Sequence, residues 1–491
     1  MGFAMTVRVR YAPSPTGDPH LGNIRTALFD WLLARHHGGQ FILRIEDTDR
    51  ARYVEAGVQA QMETMRWLGL EWDEGPDVGG PHAPYVQSQR LSLYQEHAGR
   101  LLTADRAYPC FCSPDRLQQV RLEQQKRKLP PKYDRHCRDL TPAQREGARA
   151  QGIVPVVRFQ TPLTGETTTY DILRGDVTFQ NDTLDDFVLL KSDGFPTYHL
   201  ASIVDDHLME ISHVLRGEEW LSSLPRHVLL YGAFGWEPPA FAHLSTILGP
   251  DRAKLSKRHG AHAALEYRRQ GYLPEAIVNF LALLGWSLDD HTEIIDRQTL
   301  VRSFDLDRLL PNPAVFNADK LLWMNGVYIR QLPLDELAEG ARPFLEEKVG
   351  RVDFALLRRV VPIVQERIKL LSEIVDMADF FFKDGSLDYT VDTLLGKKFA
   401  GEPGRAAAAL ESVIAAAEPL PRWDHETLEA TVRPLAEEAG VKPGDLFGVI
   451  RVAVTGKTAT PPLFETMEIL GRDRALARLR SALDRLHSRA P

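Results

Sequence analysis

The sequence predicts a multidomain fold in which an α/β domain is interrupted by an α+β insertion and followed by an all-α C-terminal region. The first residues alternate between strand and helix patterns, as in an α/β unit. From about residue 107 to residue 194 the chain changes to a cysteine-containing module with short alternating strands. Beyond about Pro311 the patterns are almost wholly helical. The length of 491 residues suits about three domains.

The first half of the α/β domain, residues 1–106, is predicted from its opening elements. Residues 7–11 alternate as a strand does, and a turn rich in proline and glycine follows. Residues 21–35 carry a helical pattern, and residues 41–45 form a second short apolar strand. A strand, a turn, a helix and a strand in this order are typical of the start of a nucleotide-binding α/β unit.

The predicted insertion, residues 107–194, contains a polar helix, two adjacent prolines and alternating strands at residues 154–160 and 167–172. Apolar segments return at residues 201–205 and 211–215, and we interpret both as strands. Helical signals then resume. This stretch, residues 195–250, is predicted to be the second half of the α/β domain.

The C-terminal part is predicted to contain a connecting region, residues 251–325, and a helical region, residues 326–491. Three helices are indicated most clearly, at residues 406–417, 425–439 and 473–486. The first lies between a glycine and a proline, the second ends at a glycine, and the third places leucines at helical spacing.

Composition excludes several classes of protein. Hydrophobic residues make up 44% and charged residues 26%, which is ordinary for globular domains, and no apolar run approaches the roughly 18 residues of a membrane helix. Three cysteines and no signal-peptide pattern favour a cytoplasmic protein without disulfides. The net charge of −8 argues weakly against a nucleic-acid partner, but one basic cluster stands out. It comprises Lys126, Arg127, Lys128, Lys132, Arg135 and Arg138.

Two segments predict chemistry on a nucleotide. The first, residues 12–23, contains His20 and Gly22 where a strand passes into a helix, and helix N-termini bind phosphate groups. The second is a cationic loop with Lys254, Ser256 and Lys257, whose charges would stabilise a triphosphate and departing pyrophosphate. Either segment alone is also typical of an ordinary turn or a solvated loop.

Together and in this order, the two segments resemble the signature motifs of class I aminoacyl-tRNA synthetases. The first matches the His-Ile-Gly-His pattern with Leu21 and Asn23 substituted, and the second matches Lys-Met-Ser-Lys-Ser with Leu255 and Arg258 substituted. The resemblance implies a Rossmann-like catalytic domain with an inserted acceptor-stem-binding domain. It further implies that residues 251–325, with the lysine loop, form a stem-contact region and that residues 326–491 form a helical anticodon-binding region. Seven further segments are similar to the glutamyl-tRNA synthetase family of bacterial type: Arg10-x-Ala-Pro-Ser-Pro-Thr-Gly, Arg44-Ile-Glu-Asp-Thr-Asp, Asp73-Glu-Gly-Pro, Tyr85-x-Gln-Ser, Pro196-Thr-Tyr-His-Leu-Ala, Val204-Asp-Asp-His and Arg216-Gly-Glu-Glu-Trp.

The resemblance also implies residue roles. Catalytic and ATP-binding positions would be His20, Gly22, Glu219, Lys254, Ser256 and Lys257. Glutamate-binding positions would be Arg10, Ser14, Glu46, Tyr198 and Arg216. Arginine suits this ligand because its planar fork matches a carboxylate. For Arg44 and Asp49 a surface ion-pair cluster is an equally good interpretation.

The reaction implied by the resemblance is the ATP-dependent ligation of L-glutamate to the 3′ end of tRNA(Glu) through glutamyl-adenylate. Mg²⁺ would accompany ATP, and tRNA would bind before activation. The alternatives are a glutaminyl-tRNA synthetase, whose anticodon portion is a β-barrel, and a mixed-specificity enzyme that also charges tRNA(Gln). Arg367 lies where glutamate-only members read the last anticodon base, although it also fits an ordinary helix surface. A monomer without a membrane partner is expected.

The cysteines allow two interpretations. Cys110 and Cys112, with Cys137 after a spacer of 24 residues, resemble a zinc site of some bacterial relatives. Asp139 stands at the position of the fourth ligand, and His136 competes with it. The other interpretation is three inert thiols. Farther along, Thr455, Gly456, Lys457 and Thr458 superficially resemble a P-loop, which we reject because residue 451 is arginine rather than glycine.

Overall fold

The computed structural model describes residues 6–256, 263–383, 385 and 387–488. The chain divides into two compact units, one formed by Met1–Glu266 with Ile277–Ala318 and the other by Tyr267–Ala276 with Asp319–Pro491. We call them unit 1 and unit 2. In the part of the chain that the structure describes, no helix is long and apolar enough to cross a membrane.

Unit 1 contains the strands, and those of the predicted α/β opening are parallel. β1 pairs with β2, and β8 pairs with β9, in parallel. Ser212 links β1 to β8 by donating its N–H to the carbonyl of Arg8 at 2.9 Å. The strands are β1 (Arg8–Tyr11), β2 (Gln40–Leu43), β3 (Ala107–Cys110), β4 (Val156–Phe159), β5 (Glu166–Asp171), β6 (Gly175–Gln180), β7 (Val188–Leu190), β8 (His213–Gly217), β9 (Ala240–Leu244), β10 (Ile247–Leu248) and β11 (Ala314–Val315).

The predicted insertion contributes strands to two sheets. β3, β4 and β7 form an antiparallel sheet of their own. β5 and β6 form an antiparallel hairpin that extends a four-stranded sheet in the order β6-β5-β9-β8. Asp171, the last residue of β5, is the point at which the hairpin joins β9. The insertion therefore brings Asp171 beside the strands of the α/β domain, while its bounds within unit 1 remain a prediction.

The structure contains the helices indicated by the sequence together with others, and one helix replaces a predicted strand. The first ten are α1 (Leu21–His36), α2 (Glu55–Trp67), α3 (Leu91–Thr103), α4 (Pro114–Lys126), α5 (Pro142–Ala150), α6 (Tyr198–Leu208), α7 (Leu224–Phe234), α8 (Ala264–Gln270), α9 (Pro274–Ala282) and α10 (Arg297–Ser303). The next ten are α11 (Ala318–Gln331), α12 (Leu334–Val349), α13 (Phe354–Val364), α14 (Ile374–Ala378), α15 (Val391–Leu395), α16 (Pro403–Ala417), α17 (His425–Glu438), α18 (Pro443–Thr455), α19 (Leu463–Leu470) and α20 (Arg472–His487).

The predicted strand at residues 201–205 is wrong, because these residues lie inside α6. All residues of α6 from Leu200 to Asp206 are buried, so the helix shows no exposed polar face in its sequence. A short apolar run of this kind does not distinguish a buried strand from a buried helix by its periodicity. The other predicted strands of unit 1 are confirmed to within two residues at their ends.

Unit 2 is built from helices around an apolar core. The three helices predicted in the C-terminal region correspond to α16, α17 and α20. Their buried residues, such as Leu410, Val432 and Leu479, belong to one continuous cluster. From residue 319 onward no strand occurs among the described residues, which argues against a β-barrel anticodon portion.

The rejected P-loop segment begins at the C-terminal end of α18. Gly456 caps this helix in the left-handed conformation with φ of 76°, where a side chain would be strained. Lys457 lies 2.7 Å from the carboxylate of Asp379 and donates to two main-chain carbonyls. A P-loop lies between a strand and the start of a helix, whereas this segment follows a helix.

Candidate active site

His20 begins α1 at the carboxyl side of β1. It is the N-cap residue, and its Nδ1 accepts a hydrogen bond from the backbone N–H of Asn23 at 3.4 Å. Because Nδ1 is an acceptor, the proton of the neutral ring is on Nε2, where it can be donated. A Cβ at Gly22 would come within 3.1 Å of the His20 ring, so glycine allows the ring to lie over the first turn. The unpaired N–H groups of this turn favour a phosphate ligand.

The lysine loop folds back on β10. Leu255 donates its N–H to the carbonyl of Ile247 at 3.0 Å, and Lys254 forms a bridge with Leu248. Just after the loop, Ala263 forms a bridge with His20. Partial burial, followed by the charge of Lys254, lowers the pKa of His20. The two motifs are therefore held near each other by main-chain hydrogen bonds on both sides of the loop.

One cavity of about 1110 Å³ contains both motifs. It opens at the carboxyl ends of β1 and β8, which is where α/β sheets generally bind ligands. Ten residues predicted to bind substrates line it: Arg10, Ser14, His20, Gly22, Glu46, Tyr198, Arg216, Glu219, Lys254 and Ser256. Lys257 lies outside the described residues. The structure thus brings together every predicted ATP-binding or glutamate-binding residue that it describes.

A buried ion network connects two residues that line this cavity, Arg10 and Glu46. Asp206 of α6 accepts from Arg10 at 3.0 Å and from Arg44 at 2.7 Å, and Arg44 also donates to Glu46 at 3.0 Å. Burial raises the pKa of Asp206, but the guanidinium groups of Arg10 and Arg44 outweigh it and hold that pKa below its usual value. Each of these two arginines is thus paired with a carboxylate of the protein.

The interpretation of Arg44 as part of a surface cluster is wrong. Its side chain is completely buried, and the short strand-end segment gave no sign of this because its partner Asp206 is 162 residues away in sequence. Asp49 does match that interpretation, since it is exposed and paired with the exposed Arg52 at 2.7 Å.

Arg216 differs from Arg10 and Arg44 because it forms no ion pair with a described carboxylate. Its Nε donates to His243 at 3.0 Å, and its Nη1 lies 3.2 Å from both the Tyr198 hydroxyl and His227 Nδ1. The Nη2 atom is buried without a hydrogen-bond partner. The pKa of His227 lies well below its usual value, mainly because the ring is buried and also because the charge of Arg216 is close to it. The acceptors around Arg216 are therefore neutral, and its positive charge remains available to an anion.

Several residues of the cavity region were missed by sequence reasoning. Asp30 lines the cavity with both carboxylate oxygens buried and unpartnered, and burial raises its pKa well above the usual value. The ring of Trp220 packs at a tilt of 38° against that of Tyr198, with ring centroids 4.4 Å apart. Asp206 and Trp220 occur within family-like segments, which offered a signal, whereas Asp30 lies in an ordinary helical pattern.

The cysteine cluster lies apart from the cavity. The thiol groups of Cys110, Cys112 and Cys137 all lie within 4.8 Å of one another. The Tyr133 hydroxyl lies 3.3 Å from the first and 3.4 Å from the second sulfur. Three sulfur atoms this close together can hold a metal ion, and the Tyr133 oxygen lies beside two of them.

The prediction of Asp139 as the fourth ligand is wrong, and His136 does not join the cluster either. Both lie in the turn that contains Cys137, and their side chains are exposed. The chain reverses there, so only Cys137 faces the other two sulfurs. Tyr133, four residues before Cys137, is buried against them and accepts the N–H of Cys137 at 3.0 Å.

The basic cluster separates into two parts. Lys132 donates to the carbonyl of Asp182, while Arg135 and Arg138 contact the carboxylate of Asp186. The other three residues, at positions 126–128, are exposed at the end of α4. In unit 2, Arg367 is exposed. The pKa of the nearby Arg451 is lowered mainly because Arg451 is partly buried, and the charge of Arg367 lowers it further. Each unit thus has an exposed cationic region.

The fold and the cavity define a class I aminoacyl-tRNA synthetase. A family model described as the catalytic domain of class I tRNA synthetases (E and Q) matches residues 6–323, and an anticodon binding domain matches residues 336–483. The chain belongs to the glutamate–tRNA ligase family of these enzymes.

Proteins that are similar to this chain over nearly their whole length are named glutamate–tRNA ligases. A glutamate–tRNA ligase of Dehalococcoides mccartyi is 55% identical and covers 98% of both chains. One from Moorella thermoacetica is 48% identical over 96% of this chain and 97% of its own. The crystal structure of a glutamate tRNA ligase from Elizabethkingia meningosepticum, in complex with its amino acid, has a TM-score of 0.87. It is 36% identical and covers 98% of this chain and 100% of that chain.

Proposed function

We propose that this enzyme ligates L-glutamate to the 3′ end of tRNA(Glu) through a glutamyl-adenylate intermediate. One observation carries the proposal: His20 and Lys254 line the same cavity as Arg216, a buried cation with no carboxylate partner among the described residues. A nucleotide site and a site for an anionic side chain therefore adjoin. The relatives named glutamate–tRNA ligases support the same substrate.

The proposed binding mode assigns each group by its charge. Arg216 receives the side-chain carboxylate of glutamate, with Arg10, Ser14 and Tyr198 completing the pocket. Glu46 receives the ammonium group. Burial raises the pKa of Glu46 while Arg44 acts against it, and a bound ammonium would add to the effect of Arg44. A neutral analogue such as glutamine would leave Arg216 buried without an anion, which is costly.

In the proposed reaction the α-carboxylate of glutamate attacks the α-phosphate of ATP and releases pyrophosphate. His20 donates from Nε2 to a phosphoryl oxygen, and Lys254 and Lys257 stabilise negative charge on the leaving group. Ser256 and Glu219 lie along the ATP. Mg²⁺ bound with ATP would neutralise further charge on the triphosphate. The 2′-hydroxyl of the terminal adenosine of tRNA then attacks the adenylate and displaces AMP.

ATP–pyrophosphate exchange and charging assays test this function. We expect glutamate-dependent exchange only when tRNA is present, and charging of tRNA(Glu) but not tRNA(Gln). The variant His20→Ala, which removes the phosphoryl donor, is expected to lose exchange and serves as the negative control. Exchange with glutamine would favour the glutaminyl enzyme, and charging of both tRNAs would establish mixed specificity. No exchange with either amino acid would contradict the proposal.

We further propose roles in this function for the exposed cationic residues and for the cysteine cluster. The exposed residues 126–128 contact the acceptor stem and Arg367 reads the anticodon, because Lys and Arg bind RNA through its phosphates and bases. The enzyme acts as a monomer in the cytoplasm, where ATP and tRNA occur together. Cys110, Cys112, Cys137 and Tyr133 would hold a structural Zn²⁺, which would stabilise the fold of this module.

Metal analysis tests the zinc site. Protein purified without chelator is expected to contain about one zinc per chain, since three sulfur ligands and one oxygen ligand complete a tetrahedral site. Cys137→Ser should lose most of the metal, and Tyr133→Phe should weaken its retention against a chelator. Asp139→Asn is the matched control and should keep the zinc. Wild-type protein without metal would instead support three inert thiols.

A further inference from the structure

Three residues on adjacent strands form a buried chain of hydrogen bonds behind the cavity. Asp171 ends β5, His243 lies in β9, and Arg216 lies in β8 directly opposite His243. His243 Nδ1 is 2.6 Å from the carboxylate of Asp171, and His243 Nε2 is 3.0 Å from Arg216 Nε. Asp171 and His243 are completely buried, and neither lines the cavity. They reach the proposed substrate only through Arg216.

The proton positions in this chain follow from the donors. Arginine has only N–H donors, so His243 Nε2 must accept the hydrogen bond from Arg216. A neutral ring then carries its proton on Nδ1 and donates it to Asp171. Burial lowers the pKa of His243, with Asp171 acting against this effect and Arg216 acting with it. Asp171 therefore favours the His243 tautomer whose Nε2 accepts a hydrogen bond from Arg216.

The arrangement holds a guanidinium group without neutralising it. A carboxylate in direct contact with Arg216 would also fix its orientation, but it would compete with an anionic ligand for the same charge. Here the nearest acceptors are the rings of His243 and His227 and the hydroxyl of Tyr198. The carboxylate of Asp171 ends this series of three hydrogen-bonded residues and is separated from Arg216 by the imidazole ring of His243. By contrast, Arg10 is bound directly to Asp206 and is already paired.

We infer that Asp171 and His243 are positioning residues that present the unneutralised guanidinium group of Arg216 to a side-chain carboxylate, and thereby contribute to the preference for an acidic amino acid. The inference rests on the proposed function, because it assumes that glutamate is the substrate. It assigns the insertion hairpin a part in amino-acid binding, since Asp171 comes from β5.

A comparison of His243→Leu with His243→Gln tests the inference. Leucine fills the space without an acceptor, whereas the glutamine carbonyl can accept from Arg216 Nε. We expect H243L to raise KM for glutamate about tenfold, the effect of losing one hydrogen bond to a charged group, with little change in KM for ATP. H243Q should restore KM for glutamate to within about threefold of wild type. The control is His97→Leu, a buried histidine that bonds to the Leu93 carbonyl away from the cavity.

Asp171→Asn provides a second test that does not change the size of a side chain. When the amide oxygen accepts from the Leu173 and Arg174 N–H groups, as Oδ1 of Asp171 does, the amide N–H group faces Nδ1 and leaves the ring proton on Nε2, opposite the Arg216 donor. KM for glutamate should rise as in H243L, and circular dichroism would verify that each variant is folded. Equal glutamate KM values for wild type, H243L and D171N, in enzyme that charges tRNA with glutamate, would overturn the inference. Wild-type protein that shows no glutamate-dependent charging would instead overturn the proposed function.

Discussion

Replacing Arg216 with methionine is expected to reduce kcat/KM for glutamate about 10³-fold. Removing one partner of a buried, hydrogen-bonded charge pair costs about 2–5 kcal/mol, because the other charge is left buried and unpaired. Here the unpaired charge would be the substrate carboxylate. Steady-state charging of tRNA at varied glutamate measures the effect, and KM for ATP should change little because the nucleotide motifs remain.

The same substitution should not destabilise the free enzyme. Arg216 has no carboxylate partner among the described residues, so R216M removes a buried charge rather than breaking an ion pair. We expect the free energy of unfolding to remain within about 1 kcal/mol of wild type. The variant Arg216→Lys distinguishes the effect of the positive charge from that of the planar guanidinium group, since lysine keeps the charge but lacks the planar fork. Unchanged glutamate kinetics in both variants would exclude Arg216 from the binding site.

Replacing Arg44 with methionine is expected to have the opposite effect on stability. Arg44 is completely buried and bonded to Asp206 and Glu46, so its removal leaves carboxylates buried with fewer cations. Breaking a buried pair in this way costs about 3–5 kcal/mol. We expect calorimetry to show the thermal transition of unit 1 lowered by roughly 5–10 °C.

Arg52→Met is the matched control for this experiment. Arg52 pairs with Asp49 at 2.7 Å, the same contact distance as that between Arg44 and Asp206, but both partners are exposed. Exposed pairs contribute about 0–1 kcal/mol, so the transition should move little. A similar shift in the two variants would contradict the view that burial makes the Arg44 network important.

The two arginines therefore illustrate different uses of buried charge. Arg44 is neutralised by the protein and stabilises the buried ion network that contains Asp206 and Glu46. Arg216 is held by neutral acceptors and keeps its charge for a ligand. Substitution of Arg44 should lower the thermal stability more than it weakens glutamate binding. Substitution of Arg216 should weaken glutamate binding more than it lowers the thermal stability. This contrast follows from the partners of each guanidinium group, since both side chains are almost fully buried.

Much of the fold was predictable because it depends on local patterns. The elements around β1, α1 and β2 and the helices α16, α17 and α20 carry clear periodicity, and the predictions match them. The prediction failed at α6, where complete burial removed the helical pattern. It also failed at Asp139, because the direction of a side chain in a turn depends on packing around it.

By itself the sequence determined the class of enzyme, the order of its parts and the predicted residues that line one cavity, since these follow from short contiguous motifs. Only the tertiary structure decided which arginine is neutralised and which remains available. Arg10 and its partner Asp206 are 196 residues apart, and Arg216 meets Asp171 only through a histidine on a neighbouring strand. Electrostatic interactions act through space, so their partners are set by the packing of distant segments rather than by neighbours in sequence.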